Sequence, residues 1–467
     1  MKLFVIALSF LLTIVSCSFI PDQTWENVEF KRTIDLSKSY SKEILSLTIK
    51  NIDSKPNSEY YYALPNYVYD RLSIFVFSGP NGQQALSTSL IEESTNVNNE
   101  PLINYIKVNL PKPIAPNQSF KLNVNLAVTD SIEPYPKSLE LTDEQTLLLK
   151  TNKLPISAYK TLSGSSLSIA GIPDGQELES EGKTNLYKGS VKDKKLVYEF
   201  DEEIEPFKFT VLNLLYRHNL PLTKITKLER GIWISHWANS LQVEEFYKLT
   251  NKGASLKNGF SRSDYMLNKQ AFKQTSAIAA AQLDLLEEAR DVYYTDLVGN
   301  VSTSKVMGDK LYIKPRYPIF GGWNYNFTIG WTNSLRDYLR PNGLKDEYIL
   351  SLPFINGPVD SSYDEVELSF YLPEGSKILD IVSPIPYDSK LEGYELSYFD
   401  LSNGHTKVTL TYSNVIDDLS HLNVLIKYEY SFWNFIKKAL DIAKFVFIAL
   451  ISYLALTKID VSLKAKN

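Results

Sequence analysis

From Trp323 to Trp331 every second residue is large and apolar: Trp323, Tyr325, Phe327, Ile329 and Trp331. A repeat of two puts all five on one face of a strand, with Asn324, Asn326, Thr328 and Gly330 on the other. A helix would scatter the same residues round its circumference, so this stretch folds only as a strand against a core. Pro315 and Pro318 hold its approach extended, and Gly321-Gly322 allow a tight turn or a close approach of another backbone. The polar face carries an N-glycosylation sequon, Asn326-Phe327-Thr328, whose glycan would point away from the aromatic face.

The chain has 467 residues, room for two or three domains with sizeable cores. Its 30 tyrosines and 22 phenylalanines favour β structure facing a core. A net charge of −5 gives no reason to expect nucleic acid. The one cysteine, Cys17, lies in the N-terminal apolar stretch, so a chain that has lost it has no disulfide, thiolate metal site or thiol nucleophile. The four histidines are scattered and none stands in H-E-x-x-H.

Both ends are apolar. Met1-Lys2 and the run to Val15 read as a secretory signal peptide over residues 1–17, with Val15 and Cys17 at the −3 and −1 positions. Ile14-Val15-Ser16-Cys17 also reads as a bacterial lipoprotein box. Near the other end, residues 445–457 are apolar, and extension back to Ala439 gives about 28 Å of helix, close to a ~30 Å hydrocarbon core. This predicts a transmembrane helix over 437–458 and a short cytosolic tail, 459–467. The signal peptide, and not the flanking lysines, sets the orientation, with the bulk of the chain luminal. Asp441 and Lys444 lie three apart, where they can pair on one helical face or contact another membrane helix.

Between the ends the pattern is mainly strands, and the fold class is mainly β: two tandem luminal β-sandwich-like domains, 18–222 and 223–436, with a short helical insertion. Residues 25–50 give two strands, the second with the mix of apolar run and alternation at Ile44, Leu45, Leu47 and Ile49 that marks a half-buried strand; 71–78 a core strand; 92–101 a polar loop; 107–110 and 120–129 further strands separated by Pro111, Pro113 and Pro116. Asn117-Gln118-Ser119 is a sequon in that turn. Residues 142–149 read as a short helix or turn, 151–159 as strand, and 192–195 as a hairpin tip. The stretch from Arg230 to Asn251 resembles that from Arg32 to Asn51: an arginine, a strand, a polar step and a second strand ending in asparagine, which suggests a duplication. Residues 262–290 are the best helix candidate, with Ser263 as cap and a continuation from Ile278 that stays helical or turns to strand. Asn300-Val301-Ser302 is a third sequon.

No catalytic constellation emerges. His236, between Trp233 and Trp237, reads as a packed strand histidine in preference to a general base. Asp201-Glu202-Glu203 and Glu244-Glu245 read as strand ends in preference to a glycosidase pair. Gly321-Gly322 lacks the lysine and helix start of a phosphate loop. A long aromatic chain without these points to binding or scaffolding.

The stretch P-R-Y-P-I-F-G-G-W-N-Y-N-F-T-I-G-W at 315–331 resembles the signature of the ribophorin I family in its fungal form. T-W-E-N-V-E-F-K-R-T-I-D at 24–35, T-N-K-L-P-I-S-A-Y at 151–159, W-I-S-H-W-A at 233–238, T-D-L-V-G-N-V-S-T-S at 295–304 and Y-L-P-E-G at 371–375 are similar to family segments. The resemblance implies a non-catalytic subunit of the oligosaccharyltransferase complex, which moves an oligosaccharide from dolichyl diphosphate to N-x-S/T of nascent polypeptides. It implies no cofactor, residence in the endoplasmic reticulum membrane as a type I single-pass protein, and partners among the other subunits, the catalytic polytopic one included, with nascent chains and the translocon. What carries over residue by residue is the acceptor asparagines Asn117, Asn300 and Asn326. The alternative class is a single-pass cell-surface adhesion or receptor protein with β-sandwich ectodomains.

Overall fold

The computed structural model describes residues 19–82, 84–95, 102–172, 175–178, 189–267, 276–343, 346–397 and 404–459. The expected signal peptide with Cys17, and most of the expected tail, lie outside them. The chain divides into two compact units. Unit 1 takes the residues up to Leu36 with Lys42–Ser131 and Lys150–Leu214. Unit 2 takes Ser37–Ser41, Ile132–Leu149 and everything from Leu215 on.

Unit 1 is built on a seven-stranded sheet of β1 (Trp25–Asp35), β2 (Ser41–Asn51), β3 (Leu72–Ser78), β4 (Ser119–Val128), β5 (Ser165–Ala170), β6 (Ser190–Lys192) and β7 (Lys195–Phe200), in the order β6-β7-β5-β1-β2-β4-β3. The β1–β2 hairpin is antiparallel, and β5 adds to β1 in parallel. Leu45, Leu47 and Ile49 of β2 alternate inward and pack with Trp25, Phe30, Tyr60, Tyr105 and Val108. The β6–β7 tip is a two-residue turn with φ of 50° at Asp193 and 60° at Lys194, the left-handed pair that matches strand twist.

Unit 2 repeats this plan with β8 (Thr223–Ser235), β9 (Ser240–Asn251), β10 (Arg290–Asp296), β11 (Gly299–Asn300), β12 (Asn324–Ser334), β13 (Ser361–Glu374), β14 (Ser389–Glu395) and β15 (His405–Ile416), in the order β11-β10-β12-β9-β8-β13-β15-β14. Without β11 the two orders are one topology, strand for strand, including the parallel pairing of β13 on β8. The smaller sheets match as well. Gln176–Glu177, Val211–Arg217, Thr146–Asn152 and Ile132–Pro134 correspond to Lys377–Val382, Asn423–Glu429, Glu347–Pro353 and Leu339–Pro341. Asn57–Pro65, Ile103–Ile114 and Thr88–Thr95 correspond to Ala281–Asp284, Lys310–Ile313 and Lys305–Met307. Even the bulge recurs, between Asn27 and Glu29 in β1 and between Ile225 and Lys227 in β8. The Arg-to-Asn likeness is therefore a register: Arg32 faces Leu45 six residues before Asn51, and Arg230 faces Glu245 six before Asn251.

The strand through Trp331 forms as its alternation requires. Tyr325, Phe327, Ile329 and Trp331 are buried, and Phe327 stacks on Tyr247 directly across the ladder at 4.8 Å.

Several expectations are corrected. Helix α1 covers only Arg262–Leu267, and its cap is Ser261, whose Oγ accepts from the Asp264 amide, not Ser263. Residues 268–275 lie outside the description, and the continuation turns to strand at Ala281–Asp284, because pairing with Lys310–Ile313 buries Leu283 completely. Residues 142–149 give no helix; a turn leads into Thr146–Asn152, where Leu147, Leu148 and Leu149 are all buried. Strand ends at Asn152, and 153–160 is a buried irregular segment held by side chains: Asn152 Nδ2 donates to Leu154 O, Gln23 Nε2 to Ala158 O, and Lys153 pairs with Glu177 at 2.6 Å. The strand after Arg71 is a sheet edge with Val76 exposed. Residues 92–95 extend a strand, and Pro111 and Pro113 lie inside Ile103–Ile114. Helix α2, Phe432–Lys458, is about 40 Å long and apolar enough to cross a membrane.

Candidate functional site

Two of the sequence motifs meet at Arg316. Its flanking prolines keep 315–318 out of the sheet, and its guanidinium reaches the tight β10–β11 turn. There Nε and Nη2 hold the Asp296 carboxylate, and Nη2 donates to the carbonyls of Gly299 at 3.3 Å and Asn300 at 3.1 Å. Asp296 Oδ1 also accepts from the amides of Val298 and Gly299, and Oδ2 accepts from Tyr325 Oη. Arg316 first, and then these amides, hold the Asp296 carboxyl down at about 2. Tyr325, on the aromatic face of β12, is pushed up to about 12 by burial and shares a hydrogen bond with Tyr294 at 2.8 Å. Segments 295–304 and 315–331 are thus joined in one hydrogen-bonded corner, with the apolar tip Leu297-Val298 about four-fifths exposed beyond it.

Next to that corner Phe260, Phe320, Trp323 and Tyr317 are linked ring to ring at 5.4–5.7 Å. Phe260 and Tyr317 are exposed. Gly321 makes the packing feasible: a Cβ there would lie 2.0 Å from Ala254 O, while Gly322 turns the chain at φ +79°.

The ionisable candidates are dispersed. His236 Nε2 is bonded to Tyr428 Oη at 2.7 Å, with Tyr348 and Tyr430 against its ring. Burial pushes it down to about 4, so it is neutral at pH 7. Glu244 and Glu245 are adjacent in a strand and face opposite ways: Glu244 is exposed and accepts from Tyr293, whereas Glu245 is fully buried beside Arg230. Asp201, Glu202 and Glu203 are all exposed. Among the described residues no group of three or more His, Cys, Asp or Glu is placed to hold a metal ion.

The three sequon asparagines sit in different settings. Asn117, in unit 1, is exposed in a turn at φ 63°, its amide donating to Asn51 O. Asn300 is exposed in β11. Asn326 is half-buried in β12, on the face opposite the aromatics. Thr295 of β10 pairs with both Asn300 and Thr328, so the second and third sequons share one face of the sheet.

At the start of α2, Ser431 Oγ accepts from the Asn434 amide as N-cap. Asn434 Nδ2 donates to Gly375 O, and Trp237 Nε1 to Phe435 O, both at 2.7 Å. Asp441 is half-buried and Lys444 exposed, and no ion pair joins them. The sequence singled out neither Arg316 nor Trp237 as an anchor. An arginine bracketed by two prolines was the visible signal for the first; nothing local marked the second.

The model of the ribophorin I family matches residues 25–457. Subunit 1 of the dolichyl-diphosphooligosaccharide–protein glycosyltransferase of Caenorhabditis elegans is 27% identical over 445 residues, 94% of this chain and 73% of that protein. Subunit 1B from Arabidopsis thaliana is 29% identical over 85% of both chains, and subunit 1 from Schizosaccharomyces pombe 28% identical over 90% of this chain and 92% of its own. Among solved structures, native yeast LTA4 hydrolase aligns with 42% of this chain and 30% of its own at a TM-score of 0.25 and 10% identity, too slight a likeness to carry an argument.

Proposed function

We propose that this chain, which belongs to the ribophorin I family, is an accessory subunit of the oligosaccharyltransferase of the endoplasmic reticulum. The observation that carries the reading is the match over residues 25–457, with worm, plant and fission-yeast relatives all named as subunit 1 of that enzyme. The two β domains stand in the lumen, α2 crosses the membrane once, and the residues after it are cytosolic. Catalysis belongs to another, polytopic subunit. In support, His236 is held neutral by its tyrosine cage, and the paired acids Glu244 and Glu245 face opposite ways.

The role of the luminal part is to hold the complex together and to guide acceptor chains towards the active site. The exposed Phe260 and Tyr317 beside Trp323, and the apolar tip Leu297-Val298, give an unfolded polypeptide somewhere to rest. Asn117, Asn300 and Asn326 are themselves acceptors. Depletion of the chain in cells is expected to leave reporter glycoproteins with unoccupied sequons, seen as faster-migrating forms that endoglycosidase collapses. Unchanged occupancy at every reporter would refute the guiding role.

A further inference from the structure

At the base of α2 the helix and the β structure of unit 2 enclose a cleft of about 490 Å³. Trp233, Trp237 and His405 line it on one side, and Lys438, Ala439 and Ile442 on the other. From Ile442 onward every described helix residue is exposed. The span counted from Ala439 starts immediately after Lys437 and Lys438 and carries Asp441 and Lys444 in its first turns before the wholly apolar residues 445–457, so the cleft stands at the level where hydrocarbon gives way to headgroups. Exposed aromatics mark the same level: Phe432, Trp433 and Trp237 form the belt that aromatic side chains make at a membrane surface.

We propose that this cleft binds one zwitterionic glycerophospholipid from the luminal leaflet. The inference rests on α2 being a membrane span. The apolar wall of Ala439 and Ile442 is continuous with the bilayer-facing helix and receives the top of an acyl chain. Lys438 at the rim suits the phosphate. Glu374, which also lines the cleft, suits a choline or ethanolamine nitrogen, and the exposed indole of Trp237 attracts the same cation. A free inorganic anion gains from Lys438 but meets the Glu374 carboxylate. A partner's helix, about 10–12 Å across, needs a long groove, whereas this volume is that of a small-ligand site.

The test uses the full chain in phosphatidylcholine nanodiscs carrying a trace of diazirine-tailed phosphatidylcholine or, separately, of diazirine-tailed phosphatidylserine. After illumination, peptides covering 233–242 and 434–442 are read by mass spectrometry. The expected result is labelling of both peptides by the choline probe, about fivefold above the serine probe, and about tenfold less in Ile442→Trp, which fills the cleft. Ala439→Phe, an independent way of filling it, guards against a folding defect and gives the same loss. Glu374→Gln narrows the preference for choline. Labelling indifferent to both filling variants means annular lipid only and overturns the site. Equal labelling by the two probes that Glu374→Gln leaves unchanged overturns the headgroup assignment. In the intact complex, a crosslink from Ile442 to another chain's helix in place of lipid also overturns it. Extraction of the chain by alkaline carbonate would defeat the membrane reading itself, an outcome separable from all of these.

Discussion

Arg32 and Arg230 occupy one place in one topology, seven residues after the strand start that faces Asn51 or Asn251. Their surroundings have diverged. In unit 1 the carboxylate lies diagonally across the hairpin: Glu43 takes Arg32 Nε and Nη2 in a two-bonded clasp at 2.8 and 2.7 Å, and both side chains keep about a tenth of their surface in solvent. Arg32 also donates to Asn152 O and Thr151 Oγ1. In unit 2 the carboxylate is directly opposite and neither side chain is exposed at all. Glu245 Oε1 is 3.2 Å from Arg230 Nε, yet neither atom makes a hydrogen bond, and Arg230 Nη2 has no partner either. Tyr247 Oη on Glu245 Oε2 and Phe354 O on Arg230 Nη1 complete the set. Burial raises the Glu245 pKa, and Arg230 only partly offsets it. One hairpin plan thus accepts either a satisfied pair at the edge of solvent or a dry pair with unsatisfied atoms. The asparagines did not diverge: Asn51 and Asn251 each donate to two carbonyls and accept from the amide two residues on.

The sharpest way to break this contrast is to delete each carboxylate. Glu245→Leu leaves a fully buried guanidinium unpaired and is expected to cost about 3–5 kcal/mol in unit 2, while Arg230→Met with Glu245→Leu recovers most of it. Glu43→Leu is expected to cost about 1–3 kcal/mol, because Arg32 keeps its two other acceptors and some water. Urea unfolding followed by hydrogen exchange in each unit reads both, and equal losses would erase the difference drawn here. The asparagines give the converse test. Asn51→Ala and Asn251→Ala each orphan two carbonyls, for about 2 kcal/mol apiece, and a large inequality would mean that the two corners are not equivalent.

Acid sensitivity should separate the units next. All four histidines belong to unit 2. His236 is depressed from 6.5 to about 4, so the unfolded chain binds the extra proton between these values. Its contribution is complete above pH 6.5 and is lost as pH falls towards 4, at no more than about 1.4 kcal/mol per pH unit. His236→Phe should flatten this slope in unit 2, whereas unit 1, which has no histidine, should lose stability only further down, where Glu59, held below the usual carboxylate range by Lys107, takes up its proton. The smallest effect belongs to β11, whose counterpart among the described residues of unit 1 is the single Ser78–Ala85 bridge. Arg316→Ala should cost under about 1 kcal/mol globally but quicken amide exchange at Val298 and Gly299. Acid should do the same as pH drops from about 4 to about 2, where Asp296 takes up its proton.

Much of this architecture could be read in the sequence because period-two patterning is local. Tyr325 to Trp331, Leu45 to Ile49 and the Asp193-Lys194 tip each carry their own signal. What the sequence left open or missed was decided by distant partners. The alanine-rich stretch around Ala281 has helix propensity but is drawn into a sheet by Leu311, and Leu147 to Leu149 are fixed by Ile132–Pro134. The parallel pair of Ser138 and Leu139 with Ser255 and Leu256 joins segments more than a hundred residues apart, which no window can see. Of the site, the sequons and the aromatic strand were legible because they are contiguous. The Arg316–Asp296 corner and the Trp237–Phe435 tie were not, since each needs two segments brought together by the fold.

The most direct test of the proposed role is purification of the tagged full chain in a mild detergent, assayed for transfer of a dolichol-linked oligosaccharide to an N-x-T peptide. Activity that co-purifies, and disappears when the partners are stripped away, is the predicted result. A solitary, inactive chain, in a detergent shown to keep the transferase intact, would contradict it and favour a free-standing surface receptor.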